Sequence, residues 1–265
     1  MTVGALLFAF DSEIKYTKLA VECAKRIKQY LGLPSTLITD RKLDTDIFDQ
    51  QIIVAKPENT NKRFWHDTER TTTWYNFGRH NAIDVTPYDR TLLLDIDYIV
   101  NSNTLLSAIN CSQPFLCHQT IQNIARPTSK IMTFGSKNTQ MWWATVVIFD
   151  RSQFSVDVFD CWKMIEQNYQ HYANLFGFDY GTFRNDFALS IALLIANGNI
   201  MPSQCAIPWP LFNADSDIPV LYKDNTWWIK YKVHERGKLR PKKICVHTQD
   251  IHVIGKSYLE KIYAL

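Results

Sequence analysis

Hydrophobic and polar positions along the first hundred residues switch between two periods. Gly4 to Phe10 is an unbroken apolar run, as long as a buried parallel strand. Asp11-Ser12 then offers a helix cap, and Tyr16, Leu19, Ala20, Cys23, Ile27 and Leu31 follow at helical spacing until Gly32 and Pro34 stop them. Ser35 to Thr39, closing at Asp40, and Gln51 to Ala55 predict a second and a third strand. Residues 57–73 are polar and irregular and read as a loop over a site, and Trp74 to Asp84 has helical apolar spacing. Thr91 to Leu94 is the most hydrophobic strand candidate and runs into Asp95-Ile96-Asp97. Pro114 to Cys117 and Ala144 to Phe149 add strands; Val156 to Tyr172 and Asp186 to Ala196 read as helices. Ile244 to His247 is the last strand candidate and Ser257 to Ala264 a terminal helix. This order predicts an α/β fold: an open, mostly parallel central sheet flanked by helices, with a Rossmann-like first half and an elaborated C-terminal half. Without a linker or repeat, one domain is expected over 1–265.

Composition narrows the class. Of the 265 residues, 46% are hydrophobic and 21% charged, which is globular and not disordered. No apolar stretch approaches the ~18 residues of a membrane helix. Met1 leads directly into a strand-like segment without a basic stretch or cleavage site, so no signal peptide is expected, and the location expected is cytoplasmic. Six cysteines lack zinc-ligand spacing and read as reduced thiols. Aromatics reach 13%, with pairs at Trp142–Trp143 and Trp227–Trp228; most belong to a core, and the excess suits a site for flat ligands.

Charge is uneven. The chain carries +3 overall, but residues 223–243 hold eight Lys or Arg against two acids, leaving −3 elsewhere. Lys230, Lys232, Arg236, Lys238 and Arg240 lie beside Trp227, Trp228 and Tyr231. Such a strip fits a polyanion-binding edge, possible acceptor contacts included, and equally a solvated hairpin whose lysines keep it soluble.

Asp95-x-Asp97 is the strongest chemical signal. At the exit of a buried strand, two carboxylates can reach one divalent cation and leave positions open for phosphates. Asp pairs at strand exits also cap turns. Asp11 and Asp40 stand at the carboxyl ends of two other strands, where ligands of such sheets bind. Trp143, Ala144 and Thr145 open another strand, and Arg184, Asn185 and Asp186 open a helix, where Asp186 is equally an ordinary cap. Near the end, His252 and Lys256 offer an imidazole and an ammonium group four residues apart, with His247 the competing imidazole.

In this order the residues resemble metal-dependent glycosyltransferases of the GT-A type, family 8-like in layout, over about residues 4–260. The chain also looks like glycosyltransferase-like proteins of tailed phages through Thr73-Trp74-Tyr75-Asn76, Leu94-Asp95-Ile96-Asp97-Tyr98, Met141-Trp142-Trp143-Ala144-Thr145-Val146 and Arg184 to Leu193. The resemblance implies a GT-A fold with a nucleotide-sugar-binding part over about 1–150 and an acceptor or closing part over about 151–265. It implies Mn2+ or Mg2+ held by Asp95, Asp97 and His252, with Lys256 and Arg79 near the donor phosphates. Asp186 would lie by the donor sugar and its reacting carbon, and Asp11, Asp40, Asn185 and the Trp143-Ala144-Thr145 segment would bind donor. Two departures stand out: Ser257-Tyr258 follows Lys256 where the family has Pro-Trp, and the His252-to-Lys256 spacing is shorter than the family's.

The activity so implied is transfer of a sugar from a nucleotide-diphosphate donor, expected to be a UDP-sugar, to a hydroxyl acceptor. The strip and the phage-like segments suggest a hydroxymethylated pyrimidine in DNA as acceptor. A glycan or small-molecule acceptor is the alternative, as is a phosphatase or phosphotransferase with an Asp nucleophile, or a module that binds a nucleotide sugar without turnover. A host-cell cytoplasmic location follows if the protein is phage-encoded.

Overall fold

The computed structural model describes residues 1–65, 69–124, 128–215, 218–224, 226–235 and 238–263. A six-stranded sheet organises them, in the order Gln50–Ile53, Ser35–Thr39, Val3–Phe8, Arg90–Leu94, Trp143–Asp150, Phe115–His118. The first four run parallel, and Trp143–Asp150 runs antiparallel to both its neighbours. Every residue of Ser35–Thr39 and Arg90–Leu94 is buried, which explains why these strands read as apolar runs and not as alternating ones. Helix Tyr16–Leu31 packs on Val3–Phe8 and Ser35–Thr39. Helix Asn185–Ala196 packs on Trp143–Asp150 and on helix Gln153–Gln167. The α/β class and the open, helix-flanked sheet are therefore as expected. Among the described residues no helix is long and apolar enough to cross a membrane.

Several elements differ from expectation, each for a local reason. Residues 57–73 are not a loop throughout: Asn61–Trp65 pairs with Arg70–Trp74 as a hairpin, with 66–68 outside the described residues. The helix expected over Trp74 to Asp84 forms only in its second half: Trp74 ends a strand, a turn follows at Gly78, whose φ of 79° suits glycine, and then come a 3-10 turn, Arg79–Asn81, and the short helix Ala82–Val85. Asn168 splits the helix expected over Val156 to Tyr172 into Gln153–Gln167 and Tyr169–Phe176. Ile244 to His247 belongs to a longer strand, Lys238–Val246. The terminal helix is Lys256–Tyr263, and Ala264 lies outside the described residues.

A second sheet has the order Lys130–Ile131, Thr120–Asn123, Leu211–Ala214, Ile251–Val253, Tyr98–Ile99. Its strands are two to four residues long, too short to show a period in sequence. Ile251–Val253 runs antiparallel to Tyr98–Ile99, with His252 opposite Tyr98. A third sheet joins Val220–Lys223, Thr226–Glu235 and Lys238–Val246.

The first strand packs closely enough to need glycine. A Cβ on Gly4 would stand 2.2–2.6 Å from ring atoms of Tyr88, a buried side chain whose hydroxyl hydrogen-bonds Thr36 Oγ1 at 2.9 Å. Overpacking of this kind costs about 1–3 kcal/mol. Gly4→Ala is expected to lower stability by that amount in urea denaturation, and the loss should shrink when Tyr88→Leu is combined with it. Equal stability of Gly4→Ala and the parent would contradict this packing.

Candidate metal and donor site

The hydrophobic strand Arg90–Leu94 ends at Asp95, whose backbone N–H donates to the Thr145 carbonyl at 2.9 Å. A tight turn follows, closed by the Tyr98 N–H donating to the Asp95 carbonyl at 3.0 Å. The Asp97 carbonyl then accepts from the Val253 N–H at 2.9 Å, which joins the turn to the second sheet. This bond, with the pairing of His252 opposite Tyr98, carries the imidazole to Asp97. Ligand atoms of Asp95, Asp97 and His252 all lie within 4.8 Å of one another. His252 Nε2 stands 3.4 Å from Asp97 Oδ2, and the Lys256 ammonium donates to the same oxygen at 2.5 Å. His247, the other candidate, is exposed and pairs with Cys245 through Nε2, 2.8 Å from Sγ.

The electrostatics are those of two acids held together by cations. Burial would raise the Asp97 carboxyl, but the Lys256 ammonium and the His252 ring hold it well below the usual carboxylate range. The Arg79 guanidinium hydrogen-bonds Asp95 and donates through its second terminal nitrogen to the Ala144 carbonyl at 3.0 Å. Burial lowers that guanidinium to about 10, against the pull of Asp186 and Asp97. Two carboxylates and an imidazole are a donor set for a divalent cation. The His252 Nδ1 atom, buried without a hydrogen-bond partner, leaves the ring's orientation to its other nitrogen. These residues fit a divalent metal ion.

The cluster lines a cavity of about 520 Å³, the size of a small-ligand pocket. The structure also brings to its wall Arg79, Trp143, Ala144, Thr145, Asn185, Asp186 and Lys256. Asp186 sits in the first turn of helix Asn185–Ala196, not at its cap: it accepts from the Ala144 N–H at 3.0 Å and pairs with Arg184 at 3.3 Å. Asn185 donates to the Asn76 carbonyl at 2.7 Å. Lining residues come from both sides of position 150, the carboxylates of Asp95 and Asp97 from one and Asp186, His252 and Lys256 from the other.

Asp11 and Asp40 are not among the lining residues. Asp11 is buried, accepts from the Thr17 N–H at 2.9 Å in the first helix and pairs with Arg41; Asp40 pairs with Lys56 at 3.3 Å. Their carboxylates are committed to the strand ends and not to the cavity. Sequence reasoning also missed an aromatic wall. Phe10, Tyr16, Phe64, Trp74 and Tyr75 line the cavity, Phe64 and Trp74 from the hairpin, where the sequence predicts a loop at Phe64 and the start of a helix at Trp74. The β-branched run Thr71-Thr72-Thr73 before Trp74 is the signal that could have found the hairpin.

The basic strip lies elsewhere. Trp227 is fully buried between Tyr222, Tyr263 and the Arg26 guanidinium, 4.9 Å from its ring, so it is core and no stacking platform, a correction to its expected place in a binding strip. Trp228 is half-buried, with the Lys243 ammonium 3.7 Å above its ring. Lys230, Lys232, Lys238 and Arg240 are exposed and do not line the cavity, and Arg236 lies outside the described residues.

No protein-family model and no curated protein matches the chain. Among solved structures it is similar to the glycosyltransferase GlyE of Streptococcus pneumoniae TIGR4, at 13% identity and a TM-score of 0.43, over 78% of this chain and 45% of that one. It is similar too to the galactosyltransferase LgtC in complex with donor and acceptor sugar analogues, at 14% identity and a TM-score of 0.45, over 72% of this chain and 70% of that one. The chain thus spans less than half of GlyE, and what it does is read from its own cavity.

Proposed function

We propose that the protein is a metal-dependent glycosyltransferase that moves a sugar from a nucleotide-diphosphate donor to a hydroxyl acceptor. The observation that carries this reading is the cluster of Asp95, Asp97 and His252 at the wall of a cavity that also holds Arg79, Asp186 and Lys256. Asp95, Asp97 and His252 would hold Mn2+ or Mg2+. When bound, the cation neutralises charge growing on a departing diphosphate. Lys256 and Arg79, both within reach of the carboxylates, are suited to share that work with the phosphates. The Asp186 carboxylate, oriented by the Ala144 N–H, would favour positive charge building on the sugar ring. Asn185 and the Trp143-Ala144-Thr145 segment border the donor. A family 8-like arrangement and a UDP base are the finer form of this proposal, with residues 1–150 supplying most of the donor side.

For the acceptor, the aromatic wall supports a glycan or a small hydroxyl compound, because flat faces of Trp74 and Phe64 suit the apolar faces of sugar rings. A hydroxymethylated pyrimidine in DNA, and with it a phage origin, is the second reading, and the exposed basic strip is what favours it. An Asp-nucleophile phosphotransferase is less well supported: Asp95 follows the fourth strand of the central sheet in chain order, and its carboxylate is held by Arg79.

A panel of nucleotide sugars, with and without Mn2+, is expected to raise the melting temperature for one donor only when metal is present. Asp95→Ala and Asp97→Ala are expected to abolish that shift and to lower metal-dependent donor turnover by at least about a hundredfold. Unchanged turnover in either variant would exclude the reading, and a donor bound but never hydrolysed or transferred would leave a binding module. Lys256→Met separates the two tasks of the ammonium group. With a competing cation removed from Asp97, Mn2+ alone should bind more tightly, while Mn2+ with a nucleoside diphosphate should bind more weakly. Both are read by quenching of tryptophan fluorescence, and a loss of both affinities would contradict the assignment.

A further inference from the structure

We infer that the ribbon formed by Thr226–Glu235 and Lys238–Val246 is a docking surface for duplex nucleic acid, seated in a groove between two phosphate backbones. Pairing in this ribbon is continuous, from Trp227 opposite Val246 to Glu235 opposite Lys238. Opposed residues share a face, and successive residues alternate. Lys230, Lys232 and Lys243 therefore lie on one face, and Lys238, Arg240 and Lys242 on the other. Between Thr226 and Val246, Lys and Arg number seven and Glu235 is the one acid.

The root and the far part of the ribbon differ. At the root Trp227, Ile229 and Val246 are buried on the same face, pressed on the body of the protein. Beyond them, Lys238 through Lys243 are exposed at every position, whichever face they take. Beyond the root neither face is free of cations, since half-buried Tyr231 and Val233 share theirs with Lys238, Arg240 and Lys242. A membrane-surface element needs an apolar face, with its charges gathered opposite. Leu239 is the one exposed large apolar side chain of the described ribbon. A duplex groove has an anionic wall on each side, and the major groove, about 12 Å wide, admits a two-stranded ribbon. Cations every second residue, about 7 Å apart along each strand, can then meet phosphates on both walls.

The inference goes beyond the transferase reading, and its test contains no donor, so either can fail without the other. Fluorescence anisotropy of the whole protein with a short labelled DNA duplex is the experiment. Contact with about five phosphates gives a slope of about −4.5 in log affinity against log salt, a loss of several hundredfold between about 50 and 200 mM. Lys230→Ala with Lys232→Ala, and separately Arg240→Ala with Lys242→Ala, should each weaken binding at least about tenfold and reduce the slope by about 2. Circular dichroism spectra of both double variants should match the parent, since the substituted side chains are exposed and the ribbon is paired through its backbone. No duplex binding at about 50 mM salt would overturn the inference, and so would affinity unchanged in both variants. Loss confined to one face, together with binding to phosphatidylserine vesicles, would overturn it in favour of a membrane.

Discussion

Like charges placed side by side at a cavity wall repel, and burial of one of them weakens the screening that water gives. Asp95 and Asp97 meet that constraint through two cations brought from distant parts of the chain, Arg79 from the turn after Gly78 and Lys256 from the last helix. The Lys256 contact spans 159 residues of sequence. In a low-dielectric setting each such pair is strong but leaves a costly charge if broken. The same carboxylates are thus paired in the protein by itself, and the proposed divalent cation would take the place of an ammonium or guanidinium partner.

The second sheet makes this possible. Its strands are short, yet Ile251–Val253 supplies both the backbone N–H that holds the Asp97 carbonyl and the imidazole beside the Asp97 side chain. Helix Lys256–Tyr263 begins three residues later, so the sheet fixes the metal ligand and the lysine together. On the opposite side, the antiparallel strand Trp143–Asp150 ties Asp95 through Thr145, Arg79 through the Ala144 carbonyl and Asp186 through the Ala144 N–H. One strand start therefore aligns three charged side chains with no charge of its own.

Sequence reading found what has a long apolar run or a fixed period. Arg90–Leu94 ending in Asp95-x-Asp97 was visible because a buried parallel strand leaves an apolar signature before its polar exit. The helix expected from Asp186 to Ala196, which the structure gives as Asn185–Ala196, was visible as an apolar run too long for a strand. The role of His252 rested on resemblance, since a three-residue strand carries no period and only tertiary pairing selects it over His247. Asp11 and Asp40 stand at strand ends as the pattern implied, but pairing with Arg41 and Lys56 is a matter of packing. Trp227 and Trp228 are neighbours in a strand and must face opposite ways, so a shared binding role for both was never geometrically open.

The central claim is that Asp95, Asp97 and His252 hold one divalent cation. Anomalous diffraction from crystals soaked in Mn2+ and a nucleoside diphosphate tests it most directly. The account predicts a single strong peak in coordinating contact with both carboxylates and the imidazole, with the Lys256 ammonium moved from Asp97 to a phosphate oxygen. A manganese peak elsewhere, with Lys256 still on Asp97, would contradict it.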